Sequence, residues 1–302
     1  MTVRGLRLAA CGLLAAVACT PDFQSPSQVT DLRVLAIRQE VDGGFADAFV
    51  DLAAPSVQEA QVRALVVDPL LRGNLVAQGR ICAPTDTGRC DGLQPFGPDQ
   101  PLSQGAMVQE PVYTLQVPPA AIAQALQSDD LKGFGGVRVQ FSLEASDGDP
   151  HSPAMASKIL LYTTAPESMR NHNPEIVALK ITRDGVDQGA VMPGGTFSVT
   201  AGIEYGLQPV LESGPGGIEE YDTVDLSGKL VHLREEPRYS FFATTGVDFD
   251  RDDADEPLPG QPPPTNGIAR FTAGPACGSI WVVARDGRGG VGWIGVSCTT
   301  PP

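Results

Sequence analysis

From position 137 to 144 the chain reads Val-Arg-Val-Gln-Phe-Ser-Leu-Glu, apolar and polar in strict alternation for four cycles. Successive side chains on a strand point to opposite faces, so this pattern predicts a β-strand with one buried and one wet face. Weaker runs of the same period predict strands over 32–37, 60–67, 113–117 and 159–163. Helical periodicity is scarce. One short helix is predicted over 119–127, where Pro119 takes a start position that needs no N–H and Ala, Ile and Leu follow. One short helix among many strands makes the expected class all-β.

Residues 166–174, Pro-Glu-Ser-Met-Arg-Asn-His-Asn-Pro, are polar, aperiodic and bracketed by prolines, and read as an interdomain linker. After it, strands are predicted over 176–182, 196–203, 226–233, 239–244, 269–272, 279–285 and 291–298. Seven short strands separated by Gly/Pro turns imply a β-sandwich. The expected organisation is a leader over 1–18, a flexible tether over 19–30, an N-terminal β-sandwich over 31–166, a linker over 167–174 and a C-terminal β-sandwich over 175–302.

Two stretches of the second half carry a family resemblance. Tyr239-Ser240-Phe241-Phe242-Ala243-Thr244-Thr245-Gly246 is similar to the Y-S-W-x-A-x-x-G strand of PKD-like and related bacterial Ig-like modules, with Phe where Trp is usual. Ala284-Arg285-Asp286-Gly287-Arg288-Gly289-Gly290 is similar to the closing V-x-D-x-x-G-G hairpin of the same modules. The resemblance implies an Ig-like sandwich for the second half. For the first half the Ig-like expectation rests on strand count.

The terminal hairpin can be read further. If Asp286-Gly287-Arg288-Gly289 turns about the 287/288 bond, residues whose numbers sum to 575 face each other, and Cys277 then opposes Cys298. Counted out from a two-residue loop, that pair is non-hydrogen-bonded and close enough for a disulfide. The same register puts Ile280, Val282, Ala284, Val291 and Trp293 on one face, and Trp281, Val283, Ile294 and Val296 on the other. Both faces are apolar. One must be the sandwich core, and the other, marked by Trp281 and Ile294, is covered by the first domain, by long loops or by a partner.

The N-terminal 18 residues place Arg4 and Arg7 before an apolar run from Leu8 to Val17, without an acid, which is a signal-peptide layout. Ten apolar residues cover about half of a roughly 30 Å hydrocarbon core, too few for a permanent span. Ala16-Val17-Ala18-Cys19 resembles a bacterial lipobox, which implies that Cys19 is diacylated and then exposed by cleavage before it. Leu8-Ala9-Ala10-Cys11 matches that consensus more closely in letters, but cleavage there would leave almost no apolar segment after Arg7. Residues 20–28, polar with Pro and Ser, suit a tether. The expected address is the outer membrane or cell surface, with lipid as the anchor.

The formal charge is −15, and losing the leader's two cations takes it to −17 over the remaining 284 residues. Nucleic acid is excluded as a partner class on this balance, because phosphate contacts need a basic face. With Cys11 and Cys19 set aside, four cysteines remain for an oxidising compartment. The sequence-local pairings, Cys82 with Cys90 and Cys277 with Cys298, each fall within one expected domain. Their spacing lacks the CxxC of a zinc site.

The sharpest polar cluster is Asp248-Phe249-Asp250-Arg251-Asp252-Asp253-Ala254-Asp255-Glu256. Acids at 248, 250 and 252 have the alternate spacing of a Ca²⁺ loop, but the turn glycine and the closing bidentate glutamate are missing. A solvated acidic loop is the competing reading. No nucleophile elbow, zinc helix or phosphate loop occurs, and His151, His172 and His232 are isolated. Glu219-Glu220 and Glu235-Glu236 are neighbours that a strand would point to opposite faces. The expectation is a non-catalytic, membrane-anchored envelope module with no cofactor beyond a candidate Ca²⁺, binding an envelope protein or glycan. A surface hydrolase or carbohydrate-binding accessory protein and a Ca²⁺-dependent adhesin are the alternatives.

Overall fold

The computed structural model describes residues 25–53, 56–90, 99–148, 153–225, 227–255 and 267–301. Cys19, His151 and the stretch from Glu256 to Asn266 lie outside the described residues. Among the described residues there are four principal sheets, a two-stranded hairpin and one α-helix, Pro119–Ser128.

In the first sandwich, Arg33–Glu40, Ala60–Val67, Val108–Gln109 and Val112–Leu115 form one sheet. The facing sheet runs Ser56–Val57, Ala48–Asp51, Ala154–Thr163, Val137–Ser146, Val76–Cys82 and Gln100–Pro101. Val62, Tyr113, Phe141, Leu143 and Leu160 fill the space between, and the helix adds Ile122 and Ala125. Gly79 interrupts the alternation of its strand for a steric reason. A Cβ there would lie 2.8 Å from the Phe141 ring.

In the second sandwich, one sheet runs Val186–Val191, Ile176–Arg183, Glu204–Leu211, Ala269–Ala273 and Val247–Phe249. The other runs Thr196–Ser198, Val291–Thr299, Ser279–Arg285, Arg238–Ala243 and Asp253–Asp255. Leu179, Leu207, Phe241, Phe271, Ile280 and Ile294 form its core. Glu220–Val224 and Leu230–Arg234 pair as a separate hairpin.

A third apolar cluster joins the two sandwiches. Val29, Leu35, Ala36, Leu65 and Val67 from the first half bury Trp281, Val283 and Val291 from the second, with Phe242 and Trp293 at the margin. Ala60–Val67 therefore has Val62, Ala64 and Val66 in its own core and Leu65 and Val67 in the junction. Ser279–Arg285 divides in the same way, with Ile280, Val282 and Ala284 inside its sandwich and Trp281 and Val283 outside. Strands covered on both faces lose polar alternation, which is why Ser279–Arg285 reads as a nearly continuous apolar run and why the alternation of Ala60–Val67, carried by Gln61 and Arg63, stops at Leu65 where the junction begins. The result is a stack of four sheets with three apolar layers between them. The second apolar face of the terminal hairpin is covered by the chain's own first half.

The register of that hairpin differs by one residue from the sequence expectation. Arg285 faces Val291, Val282 faces Ile294 and Trp281 faces Gly295, so the numbers sum to 576. The cause is a three-residue loop. Asp286 Oδ1 accepts the N–H groups of Arg288, Gly289 and Gly290 at 2.7, 2.9 and 2.9 Å, while Gly287 and Gly289 take positive φ. Trp281 and Ile294 therefore do not share a face: Trp281 belongs to the junction and Ile294 to the sandwich core. Val291 and Val296 change sides correspondingly. Cys298 comes opposite Gly278, whose carbonyl accepts its N–H at 2.9 Å, and Cys277 reaches it from one residue further on. The structure bonds Cys277 to Cys298 with Cα atoms 5.3 Å apart, and Cys82 to Cys90 with 5.6 Å.

The wet face expected on Val137–Ser146 is also altered, since Gln140 and Ser142 are buried. The loop closed by Cys82–Cys90 lies over Gln140, whose Oε1 accepts the Thr85 N–H at 3.0 Å. Residues 25–29, part of the expected tether, are seated on the body. Gln28 bridges in parallel to Ala243, and Val29 is buried in the junction.

Candidate functional site

The connection over 166–174 lies in the seam between the sandwiches, held from both sides. Asn173 donates through Nδ2 to Gln39 O at 2.7 Å and accepts the Val291 N–H through Oδ1 at 3.0 Å. Asn171 is buried and donates to Asp286 Oδ2 at 2.8 Å. Arg170 is buried against Asp47, Nε to Oδ1 at 3.2 Å, with its guanidinium 4.3 Å from the Phe45 ring centre. Burial raises the Asp47 carboxyl above its ordinary range, with the Arg170 cation opposing. The glycines after the loop permit this close approach: a Cβ at Gly292 would meet Pro174 O at 1.7 Å.

Beside this seam, the base of the separate hairpin, the turn over 213–215 and the connection itself line an open pocket of about 530 Å³. Its charged wall is assembled from elements far apart in sequence. His172 Nδ1 lies 2.6 Å from Glu219 Oε1 and its ring packs against Phe45 in a tilted contact, centroids 4.5 Å apart. Arg288 donates to Glu219 Oε2 and to Glu235 Oε1, both at 3.1 Å, and its guanidinium lies 3.9 Å from the Tyr221 ring centre. Glu219 and Glu235 flank the hairpin, where Glu235 N–H donates to Glu219 O at 2.9 Å. One member of each adjacent carboxylate pair thus meets the other across a hairpin base. Sequence reasoning missed this because the pairing of those two strands was not itself predicted.

Glu235 has 1% of its side chain exposed. Burial pushes its carboxyl from 4.5 up to about 7; repulsion from Asp286 and Glu219 adds to this, and Arg288 and the Glu219 N–H oppose it. Arg288 is shared among several acids, so its single charge does not offset the desolvation. Between pH 4.5 and 7 the unfolded chain has released this proton and the folded chain still holds it, so stability falls as pH rises through that window. Glu235→Gln is expected to remove up to about 3 kcal/mol of this fall. Denaturant midpoints of both proteins at pH 4.5 and 7 check it; parallel pH profiles would contradict the assignment.

Chemically, the wall offers an imidazole oriented by a carboxylate, a shared guanidinium and the further acids Glu220 and Asp222. Among the described residues no hydroxyl hydrogen-bonds His172, and the nearby Ser213 Oγ donates to Glu212 at 3.2 Å. His232 sits outside on the hairpin, 2.9 Å from Asp222, which raises its pKa.

The other sequence-singled residues are placed elsewhere. Asp248 and Asp250 lie at the edge of one sheet of the second sandwich, and Asp252 leads into a strand of the other. Their carboxylates serve different partners: Asp250 accepts the Arg270 N–H at 2.8 Å and Asp252 accepts the Ser25 hydroxyl at 2.7 Å. The structure does not bring the three together, and among the described residues no group of three His, Cys, Asp or Glu side chains is arranged to hold a metal ion. No helix among those residues is long and apolar enough to cross a membrane. The two disulfides fit an oxidising, extracytoplasmic compartment.

No family model matches the chain, and no curated protein matches it. Among solved structures, red sea bream transglutaminase is similar at 10% identity and a TM-score of 0.25, over 91% of this chain. The chain spans 32% of that protein's length, and a likeness at this TM-score carries no argument about function. What the fold defines is an all-β protein of stacked sandwiches.

Proposed function

We propose that this chain is an exported envelope lipoprotein, anchored through acylated Cys19, that works as a rigid non-catalytic binding or structural module. The observation that carries the reading is the junction cluster around Trp281. It joins the two sandwiches into one body, and a fixed body on a lipid anchor suits presentation or spacing at a surface. Two acyl chains or more give stable attachment, where one gives marginal binding. The partner class is an envelope protein or a glycan.

A second reading, a carbohydrate-binding accessory protein or hydrolase, is favoured by the His172–Glu219 pair in its 530 Å³ pocket. The two readings separate in one comparison. Crosslinked pulldown from envelope membranes is expected to recover a defined partner, while a glycan and hydrolase panel with purified protein gives no turnover. Turnover that is lost in His172→Ala would overturn the first reading. Metabolic acyl labelling is expected to mark the wild type and not Cys19→Ala.

A further inference from the structure

We propose that the turn Pro69-Leu70-Leu71-Arg72 is a membrane-contacting prong, with Leu70 and Leu71 seated in the bilayer that receives the acyl chains of Cys19. The inference rests on the anchor reading and adds to it an orientation and a contact surface.

Three observations converge on this turn. Leu70 and Leu71 are 59% and 48% exposed, adjacent apolar side chains on an acidic protein. Leu71 holds φ at 53°, a left-handed conformation costly for a bulky side chain. The turn is nevertheless fixed. Asp68, fully buried, accepts the N–H groups of Leu70 and Arg72 and the Arg72 guanidinium, the last at 3.0 Å. A strained turn held rigidly so that it displays two leucines is an arrangement that needs a function.

The second observation is where the anchored chain joins the body. Ser25 bonds Asp252, Val29 N–H donates to Ala243 O at 2.8 Å, and Arg33 donates to Pro26 O. Arg72, the last residue of the prong, is ion-paired with Asp31 of this same strap. Arg33 also faces Val67 across the sheet, so the start of the first strand and the entry to the prong lie at one end.

The third is length. Six residues, 19 to 24, precede Ser25, and fully extended they reach about 20 Å. Along the strands, the direction in which strap and prong share one end, the ten-residue strands Val137–Ser146 and Ala154–Thr163 are each about 33 Å long. The leash is shorter than the body, so the end that carries the strap is the end the bilayer meets, and the prong is at that end. Zwitterionic headgroups suit the contact, since anionic ones would repel a chain of formal net charge −15.

The test uses the full, acylated chain on phosphatidylcholine vesicles containing lipids brominated along the acyl chain. Leu70→Trp places a probe on the prong. Leu230→Trp places one on the separate hairpin, whose base is held by Arg288 at the opposite end of the Ser279–Arg285 strand. The expected result is a blue-shifted Leu70→Trp emission, quenched several-fold more strongly than Leu230→Trp, each corrected for the native tryptophans. Acyl labelling is read on the same preparation. A labelled, vesicle-bound chain with both probes quenched alike overturns the prong and leaves the anchor standing, including the case in which the leucines meet a protein partner. An unlabelled chain that does not float with the vesicles overturns the anchor, and with it the prong.

Discussion

Trp281→Ala is expected to destabilise the protein by about 3–5 kcal/mol, the range for truncating a buried aromatic side chain. The residue is 2% exposed although it points away from its own sandwich, because Leu35, Ala36, Leu65 and Val67 of the first sandwich cover it. The informative comparison is with Ile294→Ala, which opens a cavity in the second sandwich itself. Both variants should lose stability in denaturant. Only Trp281→Ala should let the two halves unfold at separate midpoints, followed by hydrogen exchange at amides of Leu143 and Leu207. A Trp281→Ala protein that still unfolds in one step, with less than about 1 kcal/mol lost, would show that the junction contributes little.

The second large effect belongs to Asp286. Its buried carboxylate serves three loop N–H groups and the Asn171 amide at once, so Asp286→Ala leaves several buried donors unsatisfied. The expected loss is on the order of 3–5 kcal/mol. Asp286→Asn should recover more than half of it. One oxygen remains for the loop, and the new amide can donate to Asn171 Oδ1, which lacks a partner in the native structure, once that amide turns. Thermal denaturation of the two variants decides the point; equal losses would mean that the carboxylate charge, not its acceptor geometry, holds the loop.

Strands buried on both faces were the most legible part of the chain. Ala60–Val67 and Ser279–Arg285 have the bounds that the sequence predicts, and in Ser279–Arg285 the lack of polar alternation already called for cover on a second side. Less visible were strands broken by small or cyclic residues. Val76–Cys82 carries Gly79 to make room for Phe141, and Glu204–Leu211 contains Gly206 and Pro209. The one-residue register change had a physical cause that composition could not reveal, because Asp286 selects a three-residue loop through its side chain. The candidate site was scarcely legible at all. His172, Glu219, Glu235 and Arg288 are separated by long stretches of chain and meet only through hairpin pairing and the packed seam.

The fusion of the two sandwiches is what the rest depends on: the seated strap, the closed seam and a rigid body on a short anchor. Residual dipolar couplings measured across both halves of the deuterated protein test it most directly. A single alignment tensor fitting amides of both sandwiches is the result this structure predicts. Two tensors of different magnitude, reporting independent motion of the halves, would contradict it.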